Sequence, residues 1–323
     1  MSQQVLSAPS EDSPLQGILL LVTGIAVFSV QDVIIRSLSG GYPVHEIVFV
    51  RCLVGLLPLL VFIRLDGGWR AMRIRRPVLV VLRGVAGFTS YTAYYMAIAS
   101  LPLAKVVTLN YTSPLFVTAL SVPILGEVVG ARRWAAVLAG FLGVVVIMRP
   151  DGGEFDPAVL LALLSALSYA LMVLITRIVG RSNSGSGLSV YSMIVFIALS
   201  GVIGLVIGDG RYDSESHASA QFLLRAWVVP GARDFALMVV CGVIAGIGFF
   251  CLTQAYRVAP TATVAPFEYS SLPWAILWGY LVWGDIPGPW TLLGITLVVG
   301  SGLTIMVREN QKRRRRVLLR PRA

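Results

Sequence analysis

Long apolar runs separated by short polar breaks dominate the chain. Beyond the polar residues 1–15, stretches of about 20 apolar residues follow one another, each long enough to cross a bilayer as a helix. Because a helix is the one open element that satisfies its own backbone in lipid, the pattern predicts an all-α polytopic membrane protein. The ten predicted transmembrane helices span residues 17–37, 45–65, 78–100, 103–125, 133–148, 158–176, 188–207, 234–256, 261–283 and 290–307.

Basic residues predict the orientation of these spans. Most of the 26 lysines and arginines flank the ends of even-numbered spans or lie in the tail at residues 309–323. The positive-inside rule then places both termini in the cytoplasm, with residues 208–233 forming an external loop. Within that loop, Phe222–Val229 is a candidate amphipathic turn along the membrane surface. We interpret the basic tail as a contact with anionic membrane lipids and expect no nucleic-acid partner.

Composition supports a membrane protein and argues against an enzyme. Only 13% of residues are charged and the mean hydropathy is +0.81, whereas soluble domains carry about 25% charged residues. Three cysteines lie in apolar runs and the two histidines are far apart, so we expect no metal site. No nucleophile, zinc or phosphate-loop motif is present, and we therefore expect neither catalysis nor a cofactor.

An internal repeat divides the chain into two halves, residues 16–149 and 155–308. Each half contains a span, a short turn with proline, a second span, and a glycine followed by an acidic residue. With five spans in each half, an odd number, the halves must be inverted across the membrane, which is the architecture of alternating-access transporters. The identical positions are Ala97, Pro102, Ala104, Val106, Tyr111, Ser113 and Gly126, which recur as Ala255, Pro260, Ala262, Val264, Tyr269, Ser271 and Gly284.

These features resemble the drug/metabolite transporter superfamily, in its EamA-like branch. The opening from Phe28 to Arg36, followed by Tyr42-Pro43-Val44 and Glu46 to Arg51, is similar to members that carry S-adenosylmethionine or riboflavin. The resemblance implies a central cavity lined by the first, third, fourth, sixth, eighth and ninth spans, with the fifth and tenth peripheral. The other matching residues are Ala97, Pro102, Ala104, Tyr111, Ser113 and Pro114, and the pairs Gly126-Glu127 and Gly284-Asp285.

Polar side chains at membrane depth are the candidate transport path, because ionisable groups inside spans are costly and usually face a cavity or a partner. Asp32 either serves the path or only neutralises Arg36, one turn further on, or Arg51; we assign Arg36, Glu46 and Arg51 to structural charge pairing. Proline breaks near Pro114 and Pro273 favour cavity-facing segments. The candidate path residues are Gln31, Asp32, Tyr91, Asn110, Tyr111, Glu268, Tyr269, Ser271 and Trp274.

Glu268 is the candidate proton carrier. No basic residue lies within one helical turn of it in the sequence, and an isolated carboxylate in the membrane is expensive. We expect it to be protonated part of the time, either carrying a proton across or bonding to a backbone carbonyl.

The sequence as a whole predicts a secondary transporter of a small organic metabolite in a bacterial-type inner membrane. An aromatic path with one or two acids favours an amino-acid-like, nucleoside-like or flavin-like solute. The alternative is a membrane-embedded enzyme or receptor without transport activity. Direction of flux, proton coupling, and a monomeric or homodimeric state stay open. Expected partners are the substrate and membrane lipids.

Overall fold

The computed structural model describes residues 14–65, 68–126, 129–148, 156–180, 182–213, 217–258 and 265–318. Helices occupy the described part of each predicted range, so the all-α class is confirmed. The α-helices are α1 Pro14–Leu38, α2 Val44–Leu65, α3 Pro77–Ser100, α4 Leu103–Asn110, α5 Ser113–Leu125, α6 Ala131–Met148, α7 Ala158–Val179, α8 Gly185–Ile207, α9 Ala218–Leu224, α10 Ala232–Val258, α11 Ser271–Trp278 and α12 Pro289–Leu318. Two 3₁₀ helices cover Gly68–Met72 and Ala265–Ser270, and a π-helix covers Gly279–Trp283.

Four helices in the described residues are long and apolar enough to cross a membrane by themselves: Leu15–Leu38, Val44–Val61, Ala158–Val179 and Gly185–Ile207. Shorter apolar helices cover Trp134–Met148 and Pro289–Thr304. Together with the relatives described below, these helices identify a multi-pass membrane protein. Glu127, the turn at residues 259–261 and the chain beyond residue 318 lie outside the described part.

Two predicted spans are interrupted instead of continuous. The range 103–125 contains α4 and α5, which are separated at Tyr111 and Thr112, because Pro114 lies in the first turn of α5 and has no N–H to continue the ladder. The range 261–283 was predicted as one α-helix. Its described part changes from a 3₁₀ helix to α11 at residue 271 and then to a π-helix. Both interruptions lie beside the site described below.

Small residues allow α10 to approach α2 closely. A Cβ atom at Gly242 would lie 2.6 Å from the Val54 Cβ and 2.8 Å from the Arg51 carbonyl oxygen, and one at Gly246 would lie 2.4 Å from Pro58. The Gly-x-x-x-Gly spacing of α10 is therefore a helix contact, as such spacings commonly are in membranes. This contact fixes the helix that carries Arg51 against the bundle.

The described parts of the 208–233 loop fold back onto the bundle instead of lying along its surface. Phe222 of α9 is completely buried, and the Ser219 hydroxyl donates to the Met96 carbonyl over 2.7 Å. His217 contacts Asp156 at 3.1 Å, and Arg225 donates to the Ser39 carbonyl at 2.9 Å. The loop thus covers one end of the bundle, where α1, α3 and α7 begin or end.

Candidate functional site

A cavity of about 200 Å³ lies between α1, α3, α4, α7 and α11. These helices belong to the first, third, fourth, sixth and ninth predicted spans, all five of which are in the set implied by the family resemblance. The eighth span of that set, α10, contributes no residue to the described lining. Tyrosines and small polar groups share its wall with apolar residues such as Ile25 and Val107. Its polar and aromatic members are Phe28, Ser29, Gln31, Asp32, Ser90, Tyr91, Tyr94, Tyr95, Asn110, Tyr111, Ser165, Tyr169, Ser271 and Trp278.

Asp32 is the acidic residue among the side chains that line this cavity. Its Oδ2 accepts a hydrogen bond from the Tyr94 hydroxyl over 2.9 Å. The two residues come from α1 and α3, so the contact joins the two helices across the wall of the cavity. A carboxylate with a hydroxyl donor and an apolar surround can bind a cationic group or take up a proton.

Gln31 lies beside Asp32 and connects α1 to α2 and α3. The Gln31 amide is satisfied at both ends when its oxygen accepts from Arg51 Nη1 at 3.0 Å and from Tyr95 Oη at 2.9 Å. Its nitrogen then donates to the Cys241 carbonyl of α10 at 3.0 Å. Gln31 is almost completely buried, at 1% exposure, so it holds four helices together at the edge of the cavity.

The charge pairing predicted for Arg51 and Glu46 is wrong. In the described residues no ion pair joins Arg51 to Glu46 or to Asp32. Glu46 instead accepts from the Val228 backbone N–H at 3.3 Å, which fastens the 208–233 loop to α2. The Arg51 guanidinium lies over the rings of Tyr91 and Tyr95, at 5.6 and 5.4 Å from their centroids.

Arg36 is charge-paired, but with a residue far away in the sequence. Its Nη1 lies 2.8 Å from the Asp285 carboxylate, and its guanidinium lies 4.1 Å from the centre of the Trp283 ring. Pairing of Arg36 with Asp32 across one helical turn is therefore wrong, because Tyr94 supplies the donor to Asp32. The Arg36–Asp285 pair lies one turn beyond Asp32, toward the end of α1.

The two helix interruptions meet at Tyr111. Its hydroxyl contacts the Ser271 hydroxyl and donates to the Glu268 carbonyl at 3.1 Å, and its ring lies 4.7 Å from that of Tyr269. Asn110, beside it, accepts from the Ser165 hydroxyl at 3.3 Å. The two proline-broken segments therefore contact each other beside the cavity.

Three predicted path residues lie outside the cavity lining. Glu268 is exposed on the 3₁₀ helix, and it is its backbone carbonyl that Tyr111 contacts. The Tyr269 hydroxyl is directed at α12, where it occupies the space a side chain at Gly302 would fill. Trp274 packs beside Leu21, Ile25 and Ala255.

The fold adds residues to the cavity that the predicted path did not include. Trp278, one turn after Trp274, lines it and donates from Nε1 to Ser29 Oγ at 2.9 Å. Tyr169 and Ser165 of α7 also line the cavity. The sequence signal for them was a single tyrosine near a serine within an apolar run. No group of three or more histidine, cysteine or acidic residues in the described chain is placed to hold a metal.

Part of the chain matches a known family, and most of it is similar to named proteins. Residues 15–149 match the model of the EamA-like transporter family. An S-adenosylmethionine uptake transporter of Rickettsia prowazekii is 25% identical over 92% of this chain and 94% of its own. A riboflavin transporter of Rhizobium johnstonii is 28% identical over 98% of each chain. A pseudopaline exporter of Pseudomonas aeruginosa is 28% identical over 88% of this chain and 93% of its own.

A solved crystal structure supports the fold. It is 19% identical, with a TM-score of 0.59, and the match covers 92% of this chain and 99% of that one. The sequence relatives match nearly the whole length of this chain. Residues 15–149 therefore match the EamA-like transporter family, and the chain is similar over nearly its whole length to named metabolite transporters.

Proposed function

We propose that this chain is a secondary transporter that moves a small organic metabolite across a bacterial-type inner membrane by alternating access. The observation that carries the proposal is the cavity between α1, α3, α4, α7 and α11, where helices of both halves surround Asp32 and several tyrosines. Polar groups at such depth are costly unless they serve a cavity or partner. The named relatives are transporters, and no enzyme is among those described above.

The packing of the helices supports two inverted halves of five spans each. If α1, α2 and α3 correspond to α7, α8 and α10, exchange of the halves turns the α3–α7 contact into the α10–α1 contact. Both contacts are among the most extensive in the described chain. The same exchange relates the α2–α10 contact to the α8–α3 contact, while α2–α8 and α6–α12 map onto themselves. A pseudo-two-fold relation of this kind is typical of alternating-access transporters.

The cavity wall favours an amino-acid-like, nucleoside-like or flavin-like solute. Tyr91, Tyr94, Tyr169 and Trp278 offer flat apolar faces with polar edges, and Asp32 offers a negative charge. The relatives named above carry S-adenosylmethionine, riboflavin and pseudopaline, which fits such a wall. Proton coupling would use a carboxylate, either Asp32 or Glu268.

Purified protein is expected to be stabilised by at least one solute in a library of amino acids, nucleosides, flavins and their conjugates, because the bound form is favoured by mass action. The measurement is a thermal-shift screen, followed by uptake of the labelled hit into proteoliposomes. The control is the Tyr111→Phe variant. It removes the hydroxyl between the two helix interruptions and should weaken binding of the solute found in the screen. A hit that binds but is never transported would contradict the proposal.

Single-cysteine labelling tests the membrane topology. In a background without Cys52, Cys241 and Cys251, a cysteine at position 215 is expected to react with an impermeant maleimide added outside intact cells. Cysteines at positions 73 and 315 are expected to react only after permeabilisation, because the basic flanks stay in the cytoplasm. Labelling of positions 73 and 215 from one side would contradict the inverted repeat.

A further inference from the structure

A second cavity of about 100 Å³ lies behind the first, between α2, α3, α7, α8 and α10. Phe28 and Tyr91 line both cavities and therefore form the partition between them. The second cavity contains both arginines that the sequence places inside predicted spans, Arg51 and Arg83. Neither arginine has a role in the function proposed above.

Arg51 is 5% exposed, and part of its hydrogen-bonding capacity is unused. Its Nη1 donates to the Tyr95 hydroxyl and to the Gln31 oxygen, while its Nε has no hydrogen-bond partner in the described structure. A buried donor without a partner costs free energy, and a buried charge without an opposite charge costs more. Arg51 thus lines the cavity as a buried guanidinium whose Nε–H is unsatisfied and enclosed by protein.

Arg83 is held toward the same cavity by neutral acceptors. Its Nε donates to Thr176 Oγ1 at 2.7 Å, and its Nη1 donates to the Leu188 carbonyl at 3.2 Å and to the Ser192 hydroxyl. These contacts draw the side chain between α3, α7 and α8. They orient the guanidinium without neutralising it.

No acidic residue is among the described side chains that line the second cavity. The other members are thioethers, a thiol, aromatic rings and small groups, namely Phe28, Cys52, Tyr91, Met172, Ser189, Ser192, Met193, Phe196 and Ala245. Asp32 lines the first cavity, on the other side of the partition, and makes its hydrogen bond with Tyr94. Two guanidinium groups thus share a space whose described lining has no counter-charge of its own, which favours binding of an anion.

We propose that this second cavity is an anion subsite, and that Arg51 and Arg83 bind a carboxylate of the transported metabolite. Guanidinium groups match carboxylates in geometry and charge. The inference rests on the proposed function and narrows it: a solute that reaches past Tyr91 would place a carboxylate at the arginines and a cationic group at Asp32. The substrate class is then a zwitterion of the amino-acid type.

Matched pairs of solutes that differ only by a carboxylate test the subsite on full-length protein in lipid nanodiscs. The pairs are S-adenosylmethionine with its decarboxylated form, L-tryptophan with tryptamine, and L-histidine with histamine. At least one carboxylate-bearing member is expected to bind about ten-fold more tightly than its decarboxylated partner, as expected for a charge-assisted hydrogen bond. Arg51→Gln and Arg83→Gln should each remove most of this preference.

Two further variants separate binding from folding. Arg51→Lys keeps the positive charge. If Arg51→Gln loses the carboxylate preference because the charge is lost, Arg51→Lys should retain part of that preference. Arg211→Gln makes the same substitution on the exposed loop, where Arg211 pairs with Asp209, and should leave the preference unchanged.

Equal binding of both members in every pair, or a preference that survives both Arg51→Gln and Arg83→Gln, would overturn the anion subsite. If the protein transports an uncharged solute such as riboflavin and does not bind the carboxylate-bearing solutes, the anion subsite is wrong while the transporter proposal stands. If no solute of the library binds or is transported, both proposals are wrong.

Discussion

Asp32→Asn is expected to weaken binding of a cationic or zwitterionic solute by about ten-fold or more and to abolish its accumulation against a gradient. The amide keeps the shape of the side chain and can still accept from the Tyr94 hydroxyl, but it has no charge. A hydrogen bond to a charged group contributes about 1.5–3 kcal/mol, and each 1.4 kcal/mol is ten-fold in affinity. Calorimetric titration and proteoliposome uptake with the solute found by thermal shift measure the two effects.

Glu268→Gln is the matched comparison, since it makes the same type of substitution at the other carboxylate considered as a proton carrier. Glu268 is exposed on the 3₁₀ helix and does not line the cavity, so its variant should bind the solute normally. If Glu268→Gln alone stops gradient-driven accumulation while exchange of solute for solute continues, the proton is carried at Glu268. If both variants accumulate solute as the parent does, neither carboxylate couples transport to protons.

The positions of the helices could be predicted from the sequence because apolar length is a property of each segment by itself. A run such as residues 78–100 needs a helix in lipid whatever surrounds it, and α3 begins and ends within one residue of the predicted bounds. The interruption near Tyr111 could be predicted from Pro114, because proline breaks the hydrogen-bond ladder locally. The π-helix at Gly279–Trp283 has no such local signal and follows from how the segment packs.

The partners of the charged residues could not be predicted, because they depend on which helices lie side by side. Spacing along α1 suggested that Arg36 pairs with Asp32, whereas Arg36 pairs with Asp285, 249 positions away. Which residues of a helix line the cavity depends, in the same way, on how that helix is rotated about its own axis in the bundle. Trp278 lines the cavity and Trp274 does not, although the two are one turn apart on α11. Depth in the membrane is readable from the sequence, but the direction a side chain faces requires the tertiary structure.

The ion pair between Arg36 and Asp285 is expected to hold one end of the central cavity closed. It joins the end of α1 to the chain that follows the π-helix, one turn beyond Asp32. Both side chains are partly shielded from solvent, with 13% and 27% exposure. The pair should therefore stabilise the closed end by more than an exposed ion pair would, by about 1–2 kcal/mol. Asp285→Asn should therefore raise the fraction of molecules open at that end by roughly 5–30-fold.

A cysteine at Asn110 reports this opening, because Asn110 lines the cavity. In a background free of the three native cysteines, its reaction with a hydrophilic maleimide should accelerate in Asp285→Asn and in Arg36→Gln. The double exchange Arg36→Asp with Asp285→Arg should slow the reaction again, since it restores the pair in reverse order. Asp209→Asn breaks an ion pair on the exposed loop and should have no effect. Unchanged labelling in both single variants would mean that the helix packing alone closes this end, and that the pair contributes no more than an exposed surface contact.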